Sequence, residues 1–447
     1  MSDIADKSHS VEPADSPANR PLNVVGARRL SVMLVLVIVG EMAFLLPFVI
    51  TRVFRPAVLD VFRLDNTQLG TAFSVYGVLA MVAYLPGGPL ADRFGSRGMM
   101  CAALLLTSAG GVVLAMIPTA PQLSLLYGFW GITTILLFWA PLIRATRNWG
   151  RGIDSGLAFG LLDGGRGLMA AVIASASVAV FASSLPDDVD AASIEQRTAA
   201  LQHVILIFSA ITLAGGALAW LGLPQDIPGD LPDQPAFLSG LRTVTRRPAV
   251  WMQAVIVLCA YVGYKGLDDL SLYGREGLEL DEVQAAGLST LSMWVRPLAA
   301  VAAGLIGDRW SVSRMTIGCF LVIVIGCGTI ATGVLQPGMW TAVLLTVIAT
   351  SAAVYALRGL YYAIMEESGI SFSTTGSAVG LVSLVGYTPD VFMGPLMGIL
   401  LDGNPGRLGH HLVFAVVGGF AFAGAITTLL FRRAVRAERS ALSSVPV

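Results

Sequence analysis

The sequence GGPLADRFGSR, from Gly87 to Arg97, separates two long apolar runs. A partly matching copy, GLIGDRWSVSR, recurs from Gly304 to Arg314, again between apolar runs. When Asp92 is aligned with Asp308, the offset is 216 residues, close to half of the chain. Repeats of this length between hydrophobic segments are typical of membrane proteins built from two related halves. The sequence therefore predicts such a pair of halves.

The composition indicates the same class of protein. Apolar residues make up 55% of the 447 residues and charged residues only 13%. A soluble protein could not expose so apolar a surface to water, so this composition predicts a membrane protein with several spans. The net charge of −1, without a basic stripe, argues against a nucleic-acid partner. The four cysteines all lie inside apolar runs and are interpreted as small hydrophobic residues. His410 and His411 are adjacent and cannot share one helix face, so we expect neither a metal site nor a cofactor.

Apolar stretches of about 20 residues predict membrane-spanning helices. Two sets of six are separated by a polar segment, 224–249, which is rich in proline and aspartate. We expect a cytoplasmic tail at 1–29, six helices within 30–223, a cytoplasmic linker at 224–249, six helices within 250–432 and a second tail at 433–447. The twelve predicted spans are 30–51, 68–90, 98–117, 122–143, 156–183, 200–223, 250–273, 284–307, 314–334, 339–364, 375–401 and 409–431.

The distribution of arginines predicts the orientation. With both termini in the cytoplasm, sixteen arginines flank the inner ends of the spans and six flank the outer ends, among them Arg52 and Arg55. This bias satisfies the positive-inside rule, and the opposite orientation would violate it. We expect a multi-pass protein of a bacterial inner membrane, surrounded by the lipid bilayer and monomeric.

Four basic residues fall inside the predicted spans: Arg166, Lys265, Arg296 and Arg358. A charge near the bilayer centre costs at least ~2.5 kcal/mol on insertion scales, so each must face a watery cavity or a partner. Arg296 and Arg358 have no carboxylate three or four residues away. An unpaired guanidinium presents a planar fork of donors that matches carboxylate, phosphate or sulfonate oxygens. We therefore predict that these four residues, with Tyr361, bind an anionic substrate.

The structural alternative for these residues is burial in ion pairs. Asp163 lies three residues before Arg166, and Asp268 and Asp269 lie three and four residues after Lys265, so each cation has an acid on its own helix face. Both interpretations stay open for Arg166 and Lys265.

Four carboxylates are candidates for proton coupling: Glu41, Asp268, Asp269 and Asp390. Asp390 follows Pro389 in GYTPDVFMGPLMG, where glycines and two prolines interrupt the predicted helix and leave backbone groups facing a cavity. Glu41 has no basic residue in its own helix turn. The alternative for both is a hydrogen-bonded contact between helices.

The repeated stretch resembles the loop signature between helices 2 and 3 of the major facilitator superfamily. Gly88, Asp92, Arg93, Gly95 and Arg97 fit the signature, and the second copy keeps Asp308 and Arg309. The resemblance covers the whole chain. It implies an all-α membrane protein whose twelve transmembrane helices form two six-helix bundles around a central cavity, with these residues latching the cytoplasmic gate. The Gly-Pro step of the antiporter signature in helix 5 and the arginine signature of helix 4 are both absent.

A second likeness concerns YKGLDDLSLY, from Tyr264 to Tyr273. It is similar to the helix 7 segment of the organophosphate:phosphate antiporters, where a basic residue precedes G-x-L-D and grips phosphate. Lys265 takes that place here. These antiporters also have a basic residue in helix 1, and this chain has none at the matching depth. The nearest candidate is Arg52, which is expected towards the outer end.

These observations predict a secondary active transporter of a small organic anion that works by alternating access, coupled to protons or to a counter-anion. The alternatives are efflux of amphipathic compounds and a transporter-like membrane sensor. Nucleotide-binding loops are absent from the sequence, so we expect neither ATP-driven transport nor enzymatic catalysis.

Overall fold

The computed structural model describes residues 26–150, 155–225, 244–307, 311–360, 363–364 and 372–443. Within these ranges the chain is helical apart from short connections, and it contains no β-strand. The predicted all-α fold class is confirmed.

The first half of the chain forms one bundle of six helices. They are α1 Ala27–Phe44, α2 Asn66–Phe94, α3 Ser96–Ala115, α4 Ala120–Gly131, α5 Ser155–Ser183 and α6 Ile194–Gly222. Two of them continue with a different winding: α1 passes through the π-helical segment Leu45–Val49 and ends at Val53, and α4 passes through Ile132–Trp139 and ends at Gly150. A short helix, Arg55–Phe62, follows α1.

The second half forms the matching bundle, α7 to α12. In α7 a single 3₁₀ turn, Leu267–Asp269, leads into Leu270–Gly277, and α11 is broken between Gly386 and Pro389. The helix α8 continues through Pro297. The bounds are α7 Pro248–Gly266, α8 Glu282–Gly307, α9 Val312–Ala331, α10 Trp340–Leu360, α11 Phe372–Gly386 with Pro389–Gly403, and α12 Arg407–Ser443.

These helices match the predicted spans closely. Ten described helices are long and apolar enough to cross a membrane. The other two predicted spans, 68–90 and 284–307, correspond to α2 and α8. Most of the predicted linker lies outside the described residues, as do residues 1–25 of the first tail, so the domain boundaries stay a prediction.

The backbone conformation of the signature loop requires one of its glycines. Gly95 joins α2 to α3 with φ of 76°, a left-handed conformation that side-chain-bearing residues rarely adopt. Nearby, Arg144 of α4 donates a hydrogen bond to the carbonyl of Ala91. The guanidinium of Arg97 stacks on Trp220 of α6, 4.4 Å from the ring centroid. The first copy of the signature therefore connects four helices, α2, α3, α4 and α6.

The two bundles pack closely along α2 and α11. A Cβ atom on Gly77 would lie 2.6 Å from the backbone of Asp390, so only glycine allows this approach. In the same way, Gly167 of α5 leaves room for Arg296 of α8, whose Cγ would lie 3.0 Å from an added Cβ. Small residues thus hold two functional candidates, Asp390 and Arg296, at the interface between the bundles.

Polar contacts join the bundles at the end opposite to the termini, which we call the outer end. Arg197 of α6 lies 2.8 Å from Glu282 of α8. The carboxylate of Asp402, at the end of α11, accepts hydrogen bonds from the backbone amides of Asn66 and Thr67 at the start of α2. The bundles are therefore closed against each other at the outer end.

A candidate substrate cavity

A cavity of about 130 Å³ lies between the two bundles. Helices of the first bundle, among them α1, α2, α4 and α5, line one side, and α7, α8, α10 and α11 line the other. Its basic side chains are Arg52, Arg166, Lys265, Arg296 and Arg358.

The π-helical segments of α1 and α4 both face this cavity. Phe48 and Val49 of α1 and Ile135 and Trp139 of α4 are part of its lining. A π-helical turn inserts one extra residue and rotates the side chains that follow, and such turns occur frequently at functional sites. The insertion in α1 precedes Arg52, which lines the cavity.

A first charge group joins α1, α5 and α8. It consists of Glu41, Asp163, Arg166 and Arg296. Arg166 Nε lies 3.3 Å from Glu41 Oε2 and donates a 3.0 Å hydrogen bond to the Gly40 carbonyl. Arg296 Nη2 donates a 2.7 Å hydrogen bond to Asp163 Oδ1, and its Nη1 lies 3.9 Å from Glu41 Oε2. The group therefore alternates acids and bases across the boundary between the bundles.

A second charge group, Arg52, Lys265, Asp268 and Asp390, joins α1, α7 and α11. Arg52 Nε donates a 2.6 Å hydrogen bond to Asp268 Oδ1, while Lys265 Nζ lies 3.0 Å from Asp268 Oδ2. Lys265 Nζ is also 3.6 Å from Asp390 Oδ1. The Tyr261 hydroxyl donates a 3.0 Å hydrogen bond to Asp390 Oδ2. One acid thus bridges two cations, and one cation bridges two acids.

Aromatic rings complete the cavity wall. Tyr264 lies between two guanidinium groups, with Arg358 Cζ 4.1 Å and Arg52 Cζ 4.5 Å from its ring centroid. Arg166 lies over Trp139 at 5.5 Å, and Lys265 lies over Phe48 at the same distance. Ring faces attract cations, so these contacts hold the basic side chains without neutralising their charge.

Basic groups outnumber acidic groups among the described side chains around the cavity. Five basic side chains line it, whereas the two charge groups contribute four carboxylates. Among the described residues, the buried Nε atom of Arg296 has no hydrogen-bond acceptor. A buried donor without an acceptor is costly.

The structure brings most of the predicted site residues together. Arg166, Lys265, Arg296, Arg358, Glu41 and Asp390 line the cavity, and Asp268 lies directly behind them. Asp269 points elsewhere: its Oδ2 lies 2.7 Å from His410 Nδ1. Tyr361, Asp308 and Arg309 lie outside the described residues, as does the side chain of Asp92.

Three expectations about pairing need correction. Arg296 is not an unpaired guanidinium, because Asp163 of α5 lies 2.7 Å away on the opposite bundle. The partner of Arg166 at short distance is Glu41 of α1 rather than Asp163. Of the two acids that follow Lys265, Asp268 makes the predicted contact. Asp269 does not, because the 3₁₀ turn rotates it towards α12.

Arg52 also needs correction. It was expected among the arginines that flank the outer ends, but its side chain is buried and lines the cavity. Arg52 does lie near the outer end of α1, one residue before the helix ends at Val53, but within the helix rather than beyond it. Tyr261 and Tyr264 also line the cavity and were not predicted as site residues. Their spacing of three residues and their position next to Lys265 were the signal that could have identified them.

The fold and the cavity define a class: a multi-pass membrane transporter with a polar central cavity between two helical bundles. The chain belongs to the Major Facilitator Superfamily, whose family model matches residues 30–386. Two Escherichia coli (strain K12) relatives are Inner membrane protein YqcE, 26% identical over 83% of this chain and 87% of its own, and Inner membrane protein YihN, 24% identical over 83% and 88%.

Solved structures show the same fold. A bacterial homolog of the human lysosomal transporter Spinster, in an inward-facing and unoccupied conformation, has a TM-score of 0.69 at 16% identity and covers 91% of this chain and 98% of its own. The nucleoside transporter NupG has a TM-score of 0.68 at 12% identity, over 91% and 99%. At these identities the likeness shows the fold alone.

Proposed function

We propose that this protein is a secondary active transporter of a small organic anion, a carboxylate, sugar phosphate or sulfonate, that works by alternating access. The observation that carries the proposal is the cavity between the bundles, lined by five basic side chains. A cavity at the interface of two six-helix halves is where such transporters bind their substrates.

The carboxylate of Asp163 supports a mechanism for anion exchange. Its side chain is 43% exposed, whereas that of Arg296 is 9% exposed. Water therefore reaches the acid more readily than the base. A substrate anion can displace Asp163 from the guanidinium fork at little desolvation cost, because the released carboxylate is already partly hydrated.

The aromatic wall favours an organic over an inorganic anion. Phe44, Phe48 and Trp139 line the cavity beside Arg166 and Lys265. Aromatic faces pack against carbon skeletons, while the nearby cations bind the acidic group. A substrate with both features would use both parts of the wall.

Coupling would involve the acids of the two charge groups. Asp390 lies at the break in α11 with Lys265 and Tyr261 as its neighbours, and Glu41 lies between Arg166 and Arg296. Either carboxyl could carry a proton through the cycle, and Asp268, which holds both Arg52 and Lys265, is a third candidate. If neither does, the exchange of two anions at the same basic groups is the simpler mechanism. The signature residues Asp92, Arg93 and Arg97, with Asp308 and Arg309, would latch the inner gate.

The test begins with the purified protein in detergent. A thermal-shift screen should include carboxylates, sugar phosphates, sulfonates and, as the competing class, amphipathic cations. We expect an organic anion to raise the melting temperature, and the same anion to cross the bilayer in proteoliposomes. Stabilisation by amphipathic cations alone would overturn the anion assignment. An anion that binds but shows no flux would identify a sensor instead of a transporter.

A further inference from the structure

A second cavity lies at the inner end of the first bundle, away from the substrate cavity. Its volume is about 520 Å³. The start of α1, the start of α3, the end of α4 and the end of α6 enclose it. Nothing in the proposed transport cycle uses this space.

Two arginines provide its charge. Arg29 is fixed by a reciprocal pair of hydrogen bonds: its Nη2 donates to the Trp149 carbonyl, and Trp149 Nε1 donates to the Arg29 carbonyl, both at 2.6 Å. Arg28 is exposed at the mouth of the cavity. Ser96, the first residue of α3, also lines the cavity, so the positive end of a helix dipole adds to the field. No carboxylate occurs among the described lining residues.

Asn148 adds a polar group that needs a partner. Its Oδ1 atom is buried and, within the described part of the chain, accepts no hydrogen bond. Buried side-chain oxygens almost always find a donor. The lining thus combines two arginines with a residue whose buried acceptor lacks a donor within the described residues.

The cavity opens towards the hydrophobic perimeter of the bundle. Leu221, which is part of its lining, is 83% exposed, and Leu30 and Leu34 on α1 are more than half exposed. Large apolar side chains on the outside of a transmembrane bundle face lipid chains. Trp220 is half-exposed beside them, at the position where tryptophans mark the membrane–water interface. A ligand in this cavity can therefore keep acyl chains in the bilayer.

We propose that this cavity binds the headgroup of an anionic phospholipid, with phosphatidylglycerol as the lipid whose chemistry fits. The phosphodiester lies against Arg28 and Arg29, a headgroup hydroxyl donates to Asn148 Oδ1, and the acyl chains follow Leu221 and α1. Basic pockets between helices at the cytoplasmic end of a bundle bind lipid headgroups in this way. Phosphatidylcholine has the phosphate but neither a net negative charge nor a hydroxyl donor.

Native mass spectrometry of the full-length protein tests the proposal. The detergent-solubilised protein is titrated separately with phosphatidylglycerol, phosphatidylcholine and inorganic phosphate, and the apparent affinity for the first bound molecule is measured. Phosphatidylglycerol should bind most tightly. One arginine near the membrane surface contributes about 1 kcal/mol, so Arg28→Gln should weaken binding about fivefold.

Two further variants make the result specific. Arg433→Gln, which removes an exposed arginine at the inner end of α12, should leave binding unchanged. Asn148→Leu should weaken phosphatidylglycerol binding without lowering the melting temperature, because the lost oxygen has no partner within the described residues. Equal binding of phosphatidylcholine, an unchanged affinity in Arg28→Gln, or displacement of the lipid by millimolar phosphate would overturn the proposal.

Discussion

Arg296 of α8 and Asp163 of α5 form an ion pair between the two bundles, with 2.7 Å between Nη2 and Oδ1. Glu41 lies 3.9 Å from the same guanidinium. The pair connects the halves that would separate during the proposed alternating access. Its geometry lets one guanidinium hold the halves together through Asp163 or bind a substrate oxygen.

The first prediction is that Arg296 binds the acidic group of the substrate. A hydrogen bond to a charged group is worth about 1.5–3 kcal/mol, so Arg296→Ala should weaken substrate binding roughly tenfold to a hundredfold. Arg296→Lys keeps the charge but loses the planar fork, and should also bind poorly if the contact is bidentate. Isothermal titration of the purified variants measures both.

Asp163→Asn is the matched control for this prediction. It removes the carboxylate that competes with substrate for Arg296, so substrate affinity should rise or stay the same while that of Arg296→Ala falls. An Arg296→Ala protein that inserts normally and binds substrate with unchanged affinity would assign Arg296 to structure alone.

A second prediction concerns the stability provided by Asp268. This buried acid, with a side chain 10% exposed, holds both Arg52 and Lys265. Asp268→Asn would leave two buried cations without it, and breaking a buried pair costs about 3–5 kcal/mol. The measurement is the free energy of unfolding in detergent. Asp190→Asn breaks the exposed pair with Arg275, where about 0–1 kcal/mol is expected. Equal effects of the two substitutions would contradict the buried bridge.

The Lys265–Asp268 contact was predictable, whereas the Arg296–Asp163 pair was not. Residues three apart on one helix are neighbours, so the sequence alone indicates the first contact. The same spacing also suggested Asp163 as the partner of Arg166, where Glu41 of another helix lies at short distance instead. Partners on α5 and α8 depend on how each helix is rotated and on glycines such as Gly167 that let the helices approach. Hydropathy predicts that these helices exist and says nothing about that rotation.

Arg52 shows a second limit of prediction from sequence. The length of an apolar run placed it at the end of its span, and no feature of LLPFV indicated that Leu45–Val49 would form a π-helical segment. The extra residue changes the direction of the side chains that follow it, and Arg52, one residue before the helix ends at Val53, lines the cavity. The spans and their order were therefore predictable. The orientation of cavity residues that follow a π-helical segment was not.

A third prediction concerns the signature loop. Asp92→Asn should leave the protein folded and inserted but slow its transport, because the charge that latches the inner gate is removed. Initial flux in proteoliposomes, normalised to the amount of inserted protein, measures the effect. Wild-type flux in this variant would show that the signature does not act as a gate here.

A fourth prediction concerns proton coupling. If Asp390 or Glu41 takes up a proton during the cycle, flux should depend on an imposed pH gradient, and Asp390→Asn or Glu41→Gln should remove that dependence. Asp163→Asn is a useful comparison, since its carboxylate is the most exposed of the four in the charge groups. Wild-type flux that is indifferent to the gradient would leave anion exchange as the mechanism.

The last prediction is that Asp402 holds the outer end closed. Its Oδ1 accepts hydrogen bonds from the backbone and side-chain nitrogens of Asn66, at 3.0 and 3.1 Å. Its Oδ2 accepts them from the backbone amide and hydroxyl of Thr67, at 2.8 and 2.6 Å. An acid of the second bundle thus caps the first turn of α2, where free amides and the helix dipole favour a negative charge.

Asp402→Ala should therefore shift the protein towards the conformation that is open at the outer end. The site is exposed, so we expect the lower limit of a charged hydrogen bond, about 1.5 kcal/mol, which is roughly a tenfold change in the ratio of open to closed molecules. Spin labels on Asp187 and Gln284, exposed residues of the first and second bundles near the outer end, report the distance between the bundles. Asp65→Ala is the control, because Asp65 caps the same helix from within its own bundle, through the amide of Gln68. A distance distribution that lengthens equally in both variants, or in neither, would show that Asp402 stabilises α2 without closing the outer end.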